Sequence, residues 1–206
     1  MHFDEAAALA EMKERLKPGR YRHCLRVSEE AVRLSALNGA DPEKCRIAGL
    51  FHDCAKGMTE EEVAALDPAL AEMGKPENGG SHACIHGPAG AVIAGRRYGI
   101  MDEEILEAIR CHVTGMPGMG KVAEAVFLAD YTEPGREGRT FYELRAMVTG
   151  PDKGEEDFYR AIVAGCDCTI EHVLATGRFL AMDTVKTRNY YLMLIKGGSY
   201  DDKGNG

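Results

Sequence analysis

Apolar residues recur along this chain at three- and four-residue spacings, and Gly, Pro and Asp or Thr break the runs. The pattern predicts helices joined by short connections, with no strand of usable length. An Ala-rich helix over residues 4–16 takes Asp4 as its N-cap, and Pro18-Gly19 separates it from a second helix over 20–38 that closes at Gly39. Leu25, Val32 and Ala36 mark the apolar side of that second helix. Asp41-Pro42 restarts the chain as N-cap and first helical residue, and Ile47, Ala48, Leu50 and Phe51 read as the buried side of a third helix that can stop at Gly57. Thr59-Glu60-Glu61-Glu62 is a capping box opening a short helix. Residues 67–81, rich in Pro and Gly, read as a long loop and a candidate lid. Beyond it, Gly87 caps a helix that starts at Pro88 and ends at Gly99, Asp102 caps one with Ile105, Leu106 and Ile109 as its stripe, and residues 121–131 bury Val122, Ala125, Val126 and Ala129. A second capping box, Thr140-Phe141-Tyr142-Glu143, introduces helices over 141–148, 155–176 and 184–196, leaving 197–206 as a frayed tail.

At 206 residues the chain is long enough to bury a sizeable core, and we read 1–196 as a single all-α domain in which 1–17 is the N-terminal helix. A net charge of -8 with no Lys/Arg block argues against a nucleic-acid polymer as partner. No apolar run approaches the roughly 18 residues of a membrane span and no basic-then-apolar leader is visible, which predicts a cytoplasmic protein with no membrane partner. Seven Cys with no Cys-x-x-Cys pair speak against a disulfide framework or a thiolate zinc site. Cys24, Cys54 and Cys111 each adjoin a candidate ligand, but helix neighbours point about 100° apart, so they read as small core residues.

The chemistry starts at His52-Asp53, an imidazole and a carboxylate at the end of an apolar run. Burying both is tolerated only if they are hydrogen-bonded or hold a metal. Alone the pair reads as solvated; its companions His23, His86, His112 and Asp130, each among apolar or small residues, change that reading. Pro88 favours His86 over His82 by leaving His86 just outside the helix, free to point back into a cleft, with His82 at the rim. Four imidazoles and two carboxylates exceed what one catalytic metal binds while keeping a position for water. If all six ligate, the site holds two metals with Asp53 as the natural bridge. Such a donor set without thiolate suits Fe, Mn, Zn or Ni. Lys56 follows Asp53 by three residues and either faces the same pocket or pairs with the helix end. Arg136 leaves the turn Glu133-Pro134-Gly135-Arg136 with a guanidinium fork suited to phosphate.

The words RHCLRV, FHDCAK, IHGPAGA, CHVTGMPGM and LADYTEPGR resemble the YqeK branch of the HD-domain metal-dependent phosphohydrolases, and the resemblance runs over about residues 21–191. The resemblance implies an HD-domain helical bundle with His23, His52, Asp53, His86, His112 and Asp130 as metal ligands in its core, holding a di-iron pair. It implies a small nucleotide as partner, namely diadenosine tetraphosphate cut symmetrically to two ADP, and leaves a homodimer open. Asp53, Lys56 and Arg136 carry catalysis on this reading, and Lys56, Thr114, Gly115, Glu133 and Arg136 contact substrate. Two alternatives stay open: hydrolysis of another nucleotide, and a nucleotide-binding regulator without turnover. The six competent ligand positions argue against the regulator.

Overall fold

The computed structural model describes residues 3–197, so the expected tail lies outside the described residues except for Gly197. All regular structure there is helical: α1 (Glu5–Arg15), α2 (Pro18–Asn38), α3 (Pro42–Phe51), α4 (Glu60–Leu66), α5 (Pro68–Met73), α6 (His86–Arg96), α7 (Glu103–Cys111), α8 (Lys121–Thr132), α9 (Arg139–Met147), α10 (Glu155–Ala175) and α11 (Met182–Ile195). Among the described residues no helix is long and apolar enough to cross a membrane. Helix starts follow side-chain chemistry. Asp41 accepts from the amides of Glu43 and Lys44, Asp102 from those of Glu104 and Ile105, and Thr59 and Glu62 cap each other reciprocally.

Five expectations need correction. α2 begins at Pro18, whose missing N–H costs nothing at a first helical position. Its buried face is Cys24, Val27, Ala31 and Leu34, while Leu25 and Ala36 lie outside. Ser28, Glu30, Ser35 and Asn38 are buried on the same helix, so hydrophobicity alone misphases it. Residues 67–81 are not one loop: Asp67 accepts from the Ala69 amide and starts α5 at Pro68, and short 3-10 turns follow at Pro76–Asn78 and His82–Cys84. α6 begins at His86, with Pro88 still among the first residues whose amides need no helical partner. The Thr140 capping box does not form: α9 starts at Arg139 with Gly138 as its N-cap, so Thr140 lies inside the helix, and Glu143 accepts instead from Arg139 Nε at 2.6 Å.

α2 packs on α3 and α8, α7 packs on α3, α6 and α8, and the α10–α11 pair with α9 closes over α8. Two glycines set how closely these helices approach. A Cβ on Gly49 would lie 2.7 Å from Ser28 Cα, and one on Gly87 would lie 2.5 Å from the Arg110 carbonyl oxygen. The α2–α3 and α6–α7 contacts are therefore nearly backbone to backbone. Short His and Asp side chains from different helices can then meet in one place.

Candidate metal centre

Asp53 is 2% exposed and stands in the middle of four histidine rings. Its Oδ2 faces His52 Nε2 at 3.5 Å and His23 Nε2 at 3.9 Å, while its Oδ1 faces His86 Nε2 at 3.3 Å and His112 Nε2 at 3.6 Å. Asp130 Oδ1 lies 3.0 Å from His23 Nε2. The rings form a chain, His23 to His52, His52 to His112 and His112 to His86, with centroids 5.2, 4.9 and 5.1 Å apart. All six residues singled out as ligands from the sequence thus gather around one point.

What aims them is the end of a helix. His52 and His112 occupy the positions closing α3 and α7, where backbone carbonyls lack helical partners. Their Nδ1–H groups donate to the carbonyls three residues back, Gly49 at 2.7 Å and Ile109 at 2.9 Å. His86 does the same to Ala83 at 3.0 Å. His23 turns its Nδ1 to the Glu133 carboxylate at 3.1 Å. With Nδ1 donating in each ring, every Nε2 carries its lone pair toward the centre.

That arrangement fits a metal. Nε2 of His23 and of His52 are buried and have no hydrogen-bond partner, an expensive condition for a polar atom. A lone pair on His23 facing an Asp130 oxygen is repelled unless a cation mediates. Two donor sets, His23–His52–Asp130 and His52–Asp53–His112, each bring their ligand atoms within 4.8 Å of one another. Burial draws His86 down to about 4, so its ring is neutral and able to ligate near neutral pH.

Around the donors lies a layer of cations. Arg20 Nη1 donates to Asp53 Oδ2 at 2.7 Å, and Arg136 donates through Nε to the Asp130 carbonyl at 2.8 Å and through Nη2 to its carboxylate. Lys56 Nζ reaches His86 Nε2 at 3.0 Å. Arg145 of α9 clamps the turn that carries Glu133 and Arg136, donating to the carbonyls of Thr132 and Glu133, both at 2.7 Å. Arg20 and Arg26 escaped the sequence reading although a signal existed. Both stand three residues from His23, which puts all three on one face of α2.

Lys56 and Arg136 line a cleft of about 400 Å³ that opens over His86 and Asp130 and is walled by Tyr131, Phe141, Val173 and Phe179. Three of the substrate contacts carried over from the family words sit elsewhere. Glu133 is 1% exposed, and its two oxygens are taken by Arg26, His23 and the Gly135 amide, which hold its carboxyl at about 2 against the upward push of burial. It orients a histidine and has nothing left for substrate. Thr114 donates to the Gly115 carbonyl at 3.0 Å, and Gly115, at φ 65°, packs on Thr187; Val113 lines the cleft instead. The residue after His112 points into the cleft and the next two turn away to leave α7.

Residues 20–135 match the HD domain family model. The chain is 34% identical over 187 residues to the symmetrical bis(5'-nucleosyl)-tetraphosphatase of Halalkalibacterium halodurans, covering 90% of this chain and 96% of that one. It is 38% identical over 159 residues to the enzyme of the same description from Staphylococcus aureus, covering 77% and 80%. A crystal structure of a predicted HD superfamily hydrolase involved in NAD metabolism, from Clostridium acetobutylicum, superimposes with a TM-score of 0.80 at 34% identity over 93% of this chain and 98% of that one. A helical fold, a core cluster of four histidines and two aspartates, and these likenesses over nearly the whole chain agree: the protein belongs to the HD-domain hydrolases and, within them, to the family of the symmetrical bis(5'-nucleosyl)-tetraphosphatases.

Proposed function

We propose that this chain hydrolyses diadenosine tetraphosphate at its central phosphoanhydride, one water giving two ADP, with a pair of metal ions, iron by family likeness, held by His23, His52, Asp53, His86, His112 and Asp130. The observation that carries the reading is the position of Asp53, whose two oxygens face two different histidine pairs as a bridging carboxylate must. Bound there, a metal pair would acidify a water and withdraw charge from the phosphorus under attack. The chain's own groups supply the rest. Lys56 and Arg136 stand at the cleft wall over the donors, where they can hold the phosphates on either side of the scissile bond and neutralise charge that grows on the leaving ADP. Arg136 is kept in place from behind by Asp130 and lies over the Phe141 ring, 5.5 Å from its centroid. Tyr131, Phe141 and Phe179 offer apolar and aromatic surface for one adenosine. Gripping inner phosphates over the centre directs attack to the middle of the tetraphosphate. The free cysteines accord with a cytoplasmic enzyme, and the described helices with one domain. Hydrolysis in ¹⁸O-labelled water tests the proposal: ADP as sole early product, with one label for every two molecules formed, is expected, and early AMP and ATP would overturn the assigned substrate orientation.

A further inference from the structure

The two halves of the histidine cluster have different surroundings. On the His23 side, the ring is backed by a carboxylate: Glu133 accepts from Nδ1 at 3.1 Å and is itself fixed by Arg26. A carboxylate behind an imidazole makes the ring a stronger donor than a backbone carbonyl does. His52 and Asp130 complete this side. On the other side, His86 and His112 lean only on the carbonyls of Ala83 and Ile109, and Lys56 Nζ sits 3.0 Å from His86 Nε2, the atom that would ligate.

The cations near the cluster do not obstruct it equally. Arg20 and Arg136 donate to carboxylate oxygens, which have further lone pairs to offer a metal. An imidazole nitrogen has one lone pair. An ammonium donating into His86 Nε2 and a metal bound by the same atom exclude each other.

We propose that the two metal positions fill in order, the His23–His52–Asp130 position first and the His86–His112 position second, with Lys56 occupying His86 until the second ion displaces it. This rests on the two-metal reading above. Displacement has a use. Lys56 already lines the cleft, so the second ion frees the ammonium for the substrate's phosphates as it completes the centre. A half-loaded chain lacks both at once, which keeps partial activity low.

The test uses the full chain, stripped by a chelator and titrated with Mn²⁺ by calorimetry, with bound metal counted by elemental analysis. Two ions in two resolved steps are expected, the second at least about tenfold weaker. Lys56→Met should tighten the second step at least about tenfold and leave the first alone, and Lys56→Ala should do the same. Glu133→Gln should weaken the first step by roughly 10- to 100-fold. His112→Ala should remove the second step and spare the first. Two equal steps in the unaltered chain would overturn the order, and a second step untouched by both Lys56 variants would overturn the displacement of Lys56, either result leaving two metals in place. One ion at saturation in a chain with its full helical signal would overturn the two-metal reading itself.

Discussion

Gly49→Ala separates the packing that builds the site from the ligands that compose it, because Gly49 touches no metal and supplies only a carbonyl to His52. The added Cβ would lie 2.7 Å from Ser28 Cα, 2.9 Å from Ser28 N and 3.2 Å from Val27 C. Ordinary contact begins near 3.4 Å, so α2 and α3 must part by about 0.7 Å, and the obstructing atoms are backbone with no rotamer to move away. Overpacking of this kind costs about 1–3 kcal/mol. The helix gains up to about 1 kcal/mol from Ala over Gly, leaving a net loss of about 0–2 kcal/mol. For a chain of this size that corresponds to a fall in Tm of up to about 8 °C. The functional effect should exceed the stability effect. α2 carries His23 and α3 leads into His52 and Asp53, so parting them displaces one donor from the others, and a displacement near 1 Å costs about a hundredfold in rate. Melting the chelator-stripped protein measures the first effect, and steady-state hydrolysis of diadenosine tetraphosphate measures the second. A variant that melts at or above the unaltered protein and turns over normally would refute the claim that α2–α3 contact sets the site.

His52→Ala and Asp53→Ala should each abolish hydrolysis and lower metal content while the far-UV helical signal persists, since the folding energy resides in the apolar core around Val27, Phe51, Ile109 and Phe127; full metal occupancy with normal turnover in both would remove these residues from the site. Arg136→Ala should lower kcat/KM by about 1–3 kcal/mol, the scale of a charged hydrogen bond, with metal content retained because Asp130 keeps its place opposite His23; unchanged kcat/KM would mean that the guanidinium only braces Asp130.

The parts of the molecule legible in its sequence are those where one residue's chemistry decides the local structure. Asp4, Asp41, Thr59 and Asp102 announce helix starts because a short acceptor side chain can satisfy orphan amides whatever the tertiary context. The parts that stay hidden depend on partners distant in sequence. The inner face of α2 is misread because Glu30 is buried against Thr132, with a hydrogen bond of 2.7 Å that no local pattern reveals. Glu133, beside Pro-Gly-Arg in a turn, resembles a cleft-mouth residue until Arg26 and His23, more than a hundred positions earlier, are seen to hold it. The Thr140 motif fails for a local reason, since α9 starts one residue before Thr140, with Gly138 at the N-cap. For the proposed ligands, the pattern of types and spacings singles out six residues that the fold brings together, and the route by which each ring is aimed appears only in three dimensions.

The pinning of His52, His86 and His112 to carbonyls three residues back has a consequence for how an ion arrives. Those rings lose their rotational freedom when their helices form, so the entropy of ordering them is spent during folding, not at capture. An incoming ion meets a finished socket. Shedding its own hydration then sets the pace on the His23 side, and eviction of Lys56 sets it on the other. Loading becomes a matter of ligand exchange at fixed donors, with the protein scaffold as spectator.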